Sequence, residues 1–140
     1  MFNEHGEFVV TRQGNILIAY IYGAWNAETA KAYKHTINQT IEPLKGKSWA
    51  LISNVQQWEL CTPDCELLMV ELAAECRGNS LKREAIVNNN TNSVKLELFN
   101  KHSKQKPCEF EPLRIQFQRR FLETDEQAKV WLKTEGYSLK

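Results

Sequence analysis

Two stretches near the start of the chain, Glu7 to Arg12 and Ile16 to Tyr22, are dense in β-branched and aromatic residues. That pattern predicts two strands, with Gln13-Gly14-Asn15 as the hairpin turn between them. The second stretch is apolar at every position instead of alternating, which predicts a central strand covered on both faces. After Gly23-Ala24-Trp25 the period changes. Ala27, Ala30, Tyr33, Ile37, Ile41 and Leu44 recur at helical spacing, behind Asn26 as N-cap and ahead of Pro43 and Gly46 as stops. Ser48 to Ser53 reads as a third strand and Asn54 to Cys61 as a polar connection.

The strongest helical signal follows. Thr62 is a capping residue, Pro63 suits the first helical position, and Asp64 and Glu66 complement the positive end of the helix dipole. Cys65, Leu68, Met69, Leu72, Ala73 and Cys76 form one apolar stripe, closed by Gly78. Lys82 to Val87 predicts a fourth strand, Asn88 to Ser93 a loop, Val94 to His102 a weaker helix and Lys104 to Pro112 another loop. Arg114 to Phe121 alternates, with Ile115, Phe117 and Phe121 on the apolar side, and predicts an edge strand. A capping box, Thr124-x-x-Gln127, opens a last helix that buries Ala128, Trp131 and Leu132 and ends at Gly136. Strands alternating with helices imply crossover connections. The expectation is therefore a single α/β domain over residues 1–140, with a mostly parallel mixed sheet of about five strands and about four helices.

Composition adds exclusions more than identity. The chain has 140 residues, enough to hold a core without disulfides or metal, and 18 basic against 17 acidic side chains give a net charge of +1. No global charge favours nucleic acid or an acidic membrane. No apolar run approaches the ~20 residues that span a bilayer, and Met1 to Gly6 does not have the build of an export signal. Cys61, Cys65, Cys76 and Cys108 then read as reduced thiols in a cytoplasmic protein.

Chemistry-bearing patterns are few. His5, His35 and His102 are scattered and Cys61-x3-Cys65 is not a zinc-ribbon pair, so no metal or cofactor is expected. Cys65 stands in the first turn of a helix, where the dipole lowers a thiol pKa, but it begins the core-facing stripe beside Asp64 and Glu66. Nucleotide-binding glycine loops and the G-x-S-x-G elbow are absent, and Asp125-Glu126 fits a helix start. No catalytic residues are expected. The basic side chains between residues 95 and 120 read as a solvated face. Small ligands of parallel α/β sheets bind beyond the carboxyl ends of the strands. Trp25, Asn54, Trp58 and Asn88 would line that rim, as an aromatic, uncharged site for a neutral or lipid-like ligand.

Three local patterns carry a resemblance. They are Gly23-Ala24-Trp25-Asn26 with Glu28-Thr29-Ala30, Ala50 to Val55 running through Trp58 to Thr62-Pro63, and Phe121 to Thr124 with Ala128 and Trp131-Leu132. In this order the chain resembles the STAS superfamily of sulfate transporters and anti-sigma-factor antagonists, and within it the bacterial SpoIIAA-like family. The resemblance implies a non-catalytic interaction or regulatory domain that binds a protein partner or itself, as a homodimer. In anti-sigma-factor antagonists a serine just before the second helix is phosphorylated. The matching stretch here is Leu60-Cys61-Thr62-Pro63-Asp64, which has no serine. Thr62 is its only hydroxyl and reads as a cap. Opposite the core-facing stripe of this second helix, Leu67, Val70 and Ala74 fall in register, which predicts a partner surface.

Overall fold

The computed structural model describes residues 6–88 and 116–140. The expected helix at Val94 to His102, the loops beside it, His5, His102 and Cys108 lie outside the described residues, as does the first part of the Arg114 to Phe121 strand.

Strands β1 (Glu7–Gln13) and β2 (Ile16–Trp25) form the hairpin, pairing antiparallel from Gln13↔Ile16 to Glu7↔Tyr22. Gly14 occupies the turn at φ +61°. A β-carbon there would collide with the Ser138 carbonyl oxygen, so the turn needs glycine for both its conformation and the close approach of the C-terminal tail. Helix α1 (Ala27–Thr40) follows, with the Asn26 side chain accepting from Thr29 N–H at 3.0 Å. After it come β3 (Trp49–Cys61), α2 (Pro63–Gly78), β4 (Leu81–Val87), β5 (Gln118–Leu122) and α3 (Asp125–Thr134). The sheet order is β1-β2-β3-β4-β5, and every pair after the hairpin is parallel. The α/β class and the five-stranded mixed sheet match the expectation, with three α-helices among the described residues.

Two apolar layers sandwich the sheet. On one face α1 and α2 bury Leu17, Ala19, Ile21, Leu51, Val55 and Ile86. On the other, Ala128 and Leu132 of α3 cover Ile16, Ile18, Ile52, Ala85 and Val87. The continuous apolar run of β2 is thereby explained: alternate residues serve opposite layers. Trp131 is only half-buried, with the Arg120 guanidinium 5.9 Å over its ring.

Two boundaries require correction. β3 does not stop at Ser53 but continues through the polar stretch to Cys61, because β2 continues beside it as far as Trp25↔Cys61. Register shifts between Tyr20 and Tyr22 and between Gly23 and Ala24 each insert an extra β3 residue. Val55, Trp58 and Cys61 therefore meet the same core at a spacing of three, a period that resembles neither strand nor helix. β5 begins at Gln118, later than expected. The expected apolar row does not hold: Phe117 packs against the core, Phe121 is exposed, and Arg119 between them meets the buried Glu84 of β4.

Candidate functional site

The sequence joining β3 to α2 makes an exposed corner on a fixed backbone. Thr62 N–H donates to the Trp25 carbonyl at 3.0 Å, tying the corner to the end of β2. The Thr62 hydroxyl accepts from Cys65 N–H at 3.3 Å, and its carbonyl accepts from Glu66 N–H at 2.9 Å. Thr62 is thus the N-cap expected of it, ahead of Pro63. Thr62, Pro63 and Asp64 are exposed, and large aliphatic residues stand on either side: Leu60 is 65% exposed and Leu67 67%.

Two cysteines share this corner. Cys61, the last residue of β3, is partly exposed, whereas Cys65 is buried. The neighbouring Cys65 thiol draws the Cys61 thiol below its ordinary pKa against the opposing effects of burial and the Glu66 charge. The Cys61 thiol in turn, reinforced by burial, pushes Cys65 far upward. Cys76, lower on α2, is buried and its pKa is pushed up to about 12, chiefly by desolvation.

The expected ridge on α2 divides. Leu67 and Ala74 face outward, but Val70 is half-buried and lines a cavity of about 90 Å³ between α2 and the sheet. That cavity has a polar floor which sequence patterning missed. Arg119 Nη2 stands 2.6 Å and its Nε 2.7 Å from Glu84 Oε1, while the Ser53 hydroxyl donates to Glu84 Oε2 at 3.0 Å. Arg77 and Arg119 each stack on Phe117, with 5.5 Å from guanidinium carbon to ring centroid. The only signal in the sequence was the run Lys82-Arg83-Glu84, charge where a central strand should be apolar. Arg83 turns to the other face, where it is 3.0 Å from Glu135 Oε1.

Of the four rim residues, Trp25 and Trp58 come together and Asn54 and Asn88 do not join them. Trp25 and Trp58 are 1% and 3% exposed and belong to the core beneath α1 and α2. Asn54 points to the opposite layer, donating to Asp125 Oδ1 at 2.9 Å, beside Tyr20, whose hydroxyl donates to Asp125 Oδ2 at 2.9 Å. The bulge after Asn54 reverses the facing of β3, so Trp58 and Asn54 part despite an even spacing. Asn88 follows β4, its N–H donating to the Leu122 carbonyl. His35 is exposed on α1. Among the described residues no group of three or more metal-ligating side chains gathers, and no helix is long and apolar enough to cross a membrane.

This architecture has solved counterparts. One is an uncharacterized protein of the DUF3478 family with a SpoIIAA-like fold, from Shewanella loihica. It matches at TM-score 0.68 and 13% identity, over 94% of this chain and 98% of that one. Another is the Bacillus cell fate determinant SpoIIAA in its phosphorylated form, at TM-score 0.55 and 12% identity, over 90% of this chain and 99% of that one. No protein-family model and no curated protein sequence matches the chain. The fold is SpoIIAA-like, as the resemblance implied.

Proposed function

We propose that the chain acts as one non-catalytic interaction domain, and that the β3–α2 corner is where it meets a protein partner, in the first instance a second copy of itself. The observation supporting this reading is the exposure of Leu60 and Leu67 on either side of Thr62–Asp64. Large aliphatic side chains this open to water gain most from being covered, at roughly 25 cal/mol per Å² removed from solvent. The backbone beneath them is already fixed by Thr62 N–H on Trp25, so docking there orders little new chain. Likeness in fold to SpoIIAA, solved in a phosphorylated form, fits a regulatory setting. The hydroxyl at this corner is occupied as a helix cap, which favours regulation without phosphate on Thr62. Free thiols at Cys61, Cys65 and Cys76 suit the cytoplasm. The test is the mass of the protein in solution, wild type against Leu60→Asp with Leu67→Asp.

A second reading, a carrier of a small ligand, draws support from the cavity beneath Val70. Its place is then between α2 and the sheet instead of at the strand rim. At about 90 Å³ the cavity suits a molecule of a few heavy atoms and not a lipid chain. Native mass spectrometry of the purified protein separates the two readings, by a dimer or by a retained small mass.

A further inference from the structure

We propose that the cavity between α2 and the sheet binds a short-chain carboxylate, such as butyrate, with Arg77 holding the charged end. This ligand class rests on the second reading above, in which that cavity is a small-molecule site. Ile21, Ile37, Leu51, Met69, Leu72 and Leu81 give it apolar walls, and Ser53, Arg77, Glu84 and Arg119 give it polar groups. The charges among those groups do not cancel. Glu84 Oε1 is taken by Arg119 at 2.6 and 2.7 Å, and Oε2 by the Ser53 hydroxyl at 3.0 Å. Arg77 has no ion-pair partner among the described residues, and its Nε is buried with no hydrogen-bond partner among them. Its guanidinium stacks on Phe117 at 5.5 Å, a contact that engages the face of the group and not its N–H donors.

A buried donor without an acceptor is costly, and a half-buried cation without a counter-ion adds to that cost. The carbonyl end of α2 favours the Arg77 charge without supplying an acceptor to Nε. A carboxylate answers both needs, since it accepts from the guanidinium and neutralises it. A neutral ligand answers only the first. Glu66, the other acidic residue of the lining, stands eleven residues before Arg77 on α2, about 16 Å along the helix. It therefore belongs to the opposite end of the helix and does not serve as the counter-ion. Tyr33 of α1, only 3% exposed, brings a phenol to the same lining, a second donor type suited to a carboxylate oxygen. Size sets the length of the ligand. An apolar cavity of ~150 Å³ takes benzene, so one of about 90 Å³ takes roughly four carbon atoms.

The experiment uses the full chain, isotope-labelled and titrated with sodium butyrate at an ionic strength held constant with sodium chloride, and is read by methyl and amide NMR. Butyrate should saturate a single site, with shifts centred on Met69, Leu72 and Leu81. Butyramide, its neutral isostere, should bind at least about ten-fold more weakly, because it forgoes the charge-assisted bond. Arg77→Gln should weaken butyrate by at least about ten-fold and leave butyramide little changed, a split that mere loss of structure would not produce. Equal binding of butyrate and butyramide to the parent protein would overturn the carboxylate assignment and leave the cavity a small-ligand site. Butyrate binding unaltered in a folded Arg77→Gln variant would overturn the role of Arg77. Failure of butyrate to shift those residues would also overturn the assignment, whereas a small mass retained in native mass spectrometry would still uphold the carrier reading. Should Arg77→Gln fail to fold, the comparison of the two ligands on the parent protein decides.

Discussion

The indole rings of Trp25 and Trp58 meet edge to face, their centroids 6.1 Å apart at 74°. The contact joins the ends of β2 and β3 and is possible only because β3 carries an extra residue after Asn54. Tyr33 of α1 packs against Trp25 at 5.2 Å, and Phe8 of β1 lies 5.8 Å from the same ring. The Trp25 indole N–H donates to the Tyr22 carbonyl at 2.9 Å, which holds the ring in place. This aromatic cluster supports the backbone on which the exposed corner is built. Trp58→Ala should therefore destabilise the fold by about 3–5 kcal/mol, read as a shift in the urea unfolding midpoint. A change below about 1 kcal/mol would mean that the cluster is dispensable.

Thr62 serves the same corner by a hydrogen bond. Its hydroxyl satisfies the Cys65 amide at the start of α2. Thr62→Ala should lower stability by about 1 kcal/mol, whereas Thr62→Asn, which keeps an acceptor at the cap, should be nearly neutral. Thermal unfolding of both variants checks this. Equal damage from both would show that the hydroxyl has a role beyond capping.

Much of this corner was legible in the sequence. Thr62-Pro63-Asp64 fixed the start of α2 to the residue, because capping chemistry is local and needs no distant partner. The same holds at α3, where the Thr124 hydroxyl accepts from Gln127 N–H at 3.1 Å. What the sequence concealed depended on strand pairing. The bulges in β3 placed Val55, Trp58 and Cys61 on one face at a spacing of three, so a real strand looked like a polar connection. Of the expected rim, Trp25 and Trp58 meet, while the bulge after Asn54 leaves that residue on the opposite layer. Arg119 and Glu84 were unreadable singly, since each is a charge in a strand. Only the β4–β5 pairing, with Glu84↔Arg119 as register partners, makes them a buried ion pair. Val70 left the expected ridge because the space beneath α2 admits it to the cavity wall.

Alkaline pH should weaken the fold through the buried Cys76 thiol. Burial raises Cys76 from its ordinary 9.0 to about 12. Between those values the unfolded chain has released the proton and the folded chain retains it, so unfolding becomes more favourable as pH rises. Stability is complete below 9 and declines toward 12. Burial raises Tyr33 in the same direction from its ordinary 10.0 and steepens the decline. Urea midpoints measured across this range should fall with pH, and Cys76→Ala should flatten the slope whatever its effect on the starting level. A slope unchanged by Cys76→Ala would assign the alkaline loss to other groups.

The most direct measurement of the interaction reading is sedimentation equilibrium of the wild-type chain beside Leu60→Asp with Leu67→Asp. Both substitutions fall on side chains already two-thirds open to solvent, so the far-ultraviolet circular dichroism of the variant should match the wild type. The wild type is expected at twice its monomer mass of 16.3 kDa and the variant at the monomer mass. A folded variant that remains dimeric, or a wild type that stays monomeric as concentration rises, would contradict self-association through the β3–α2 corner.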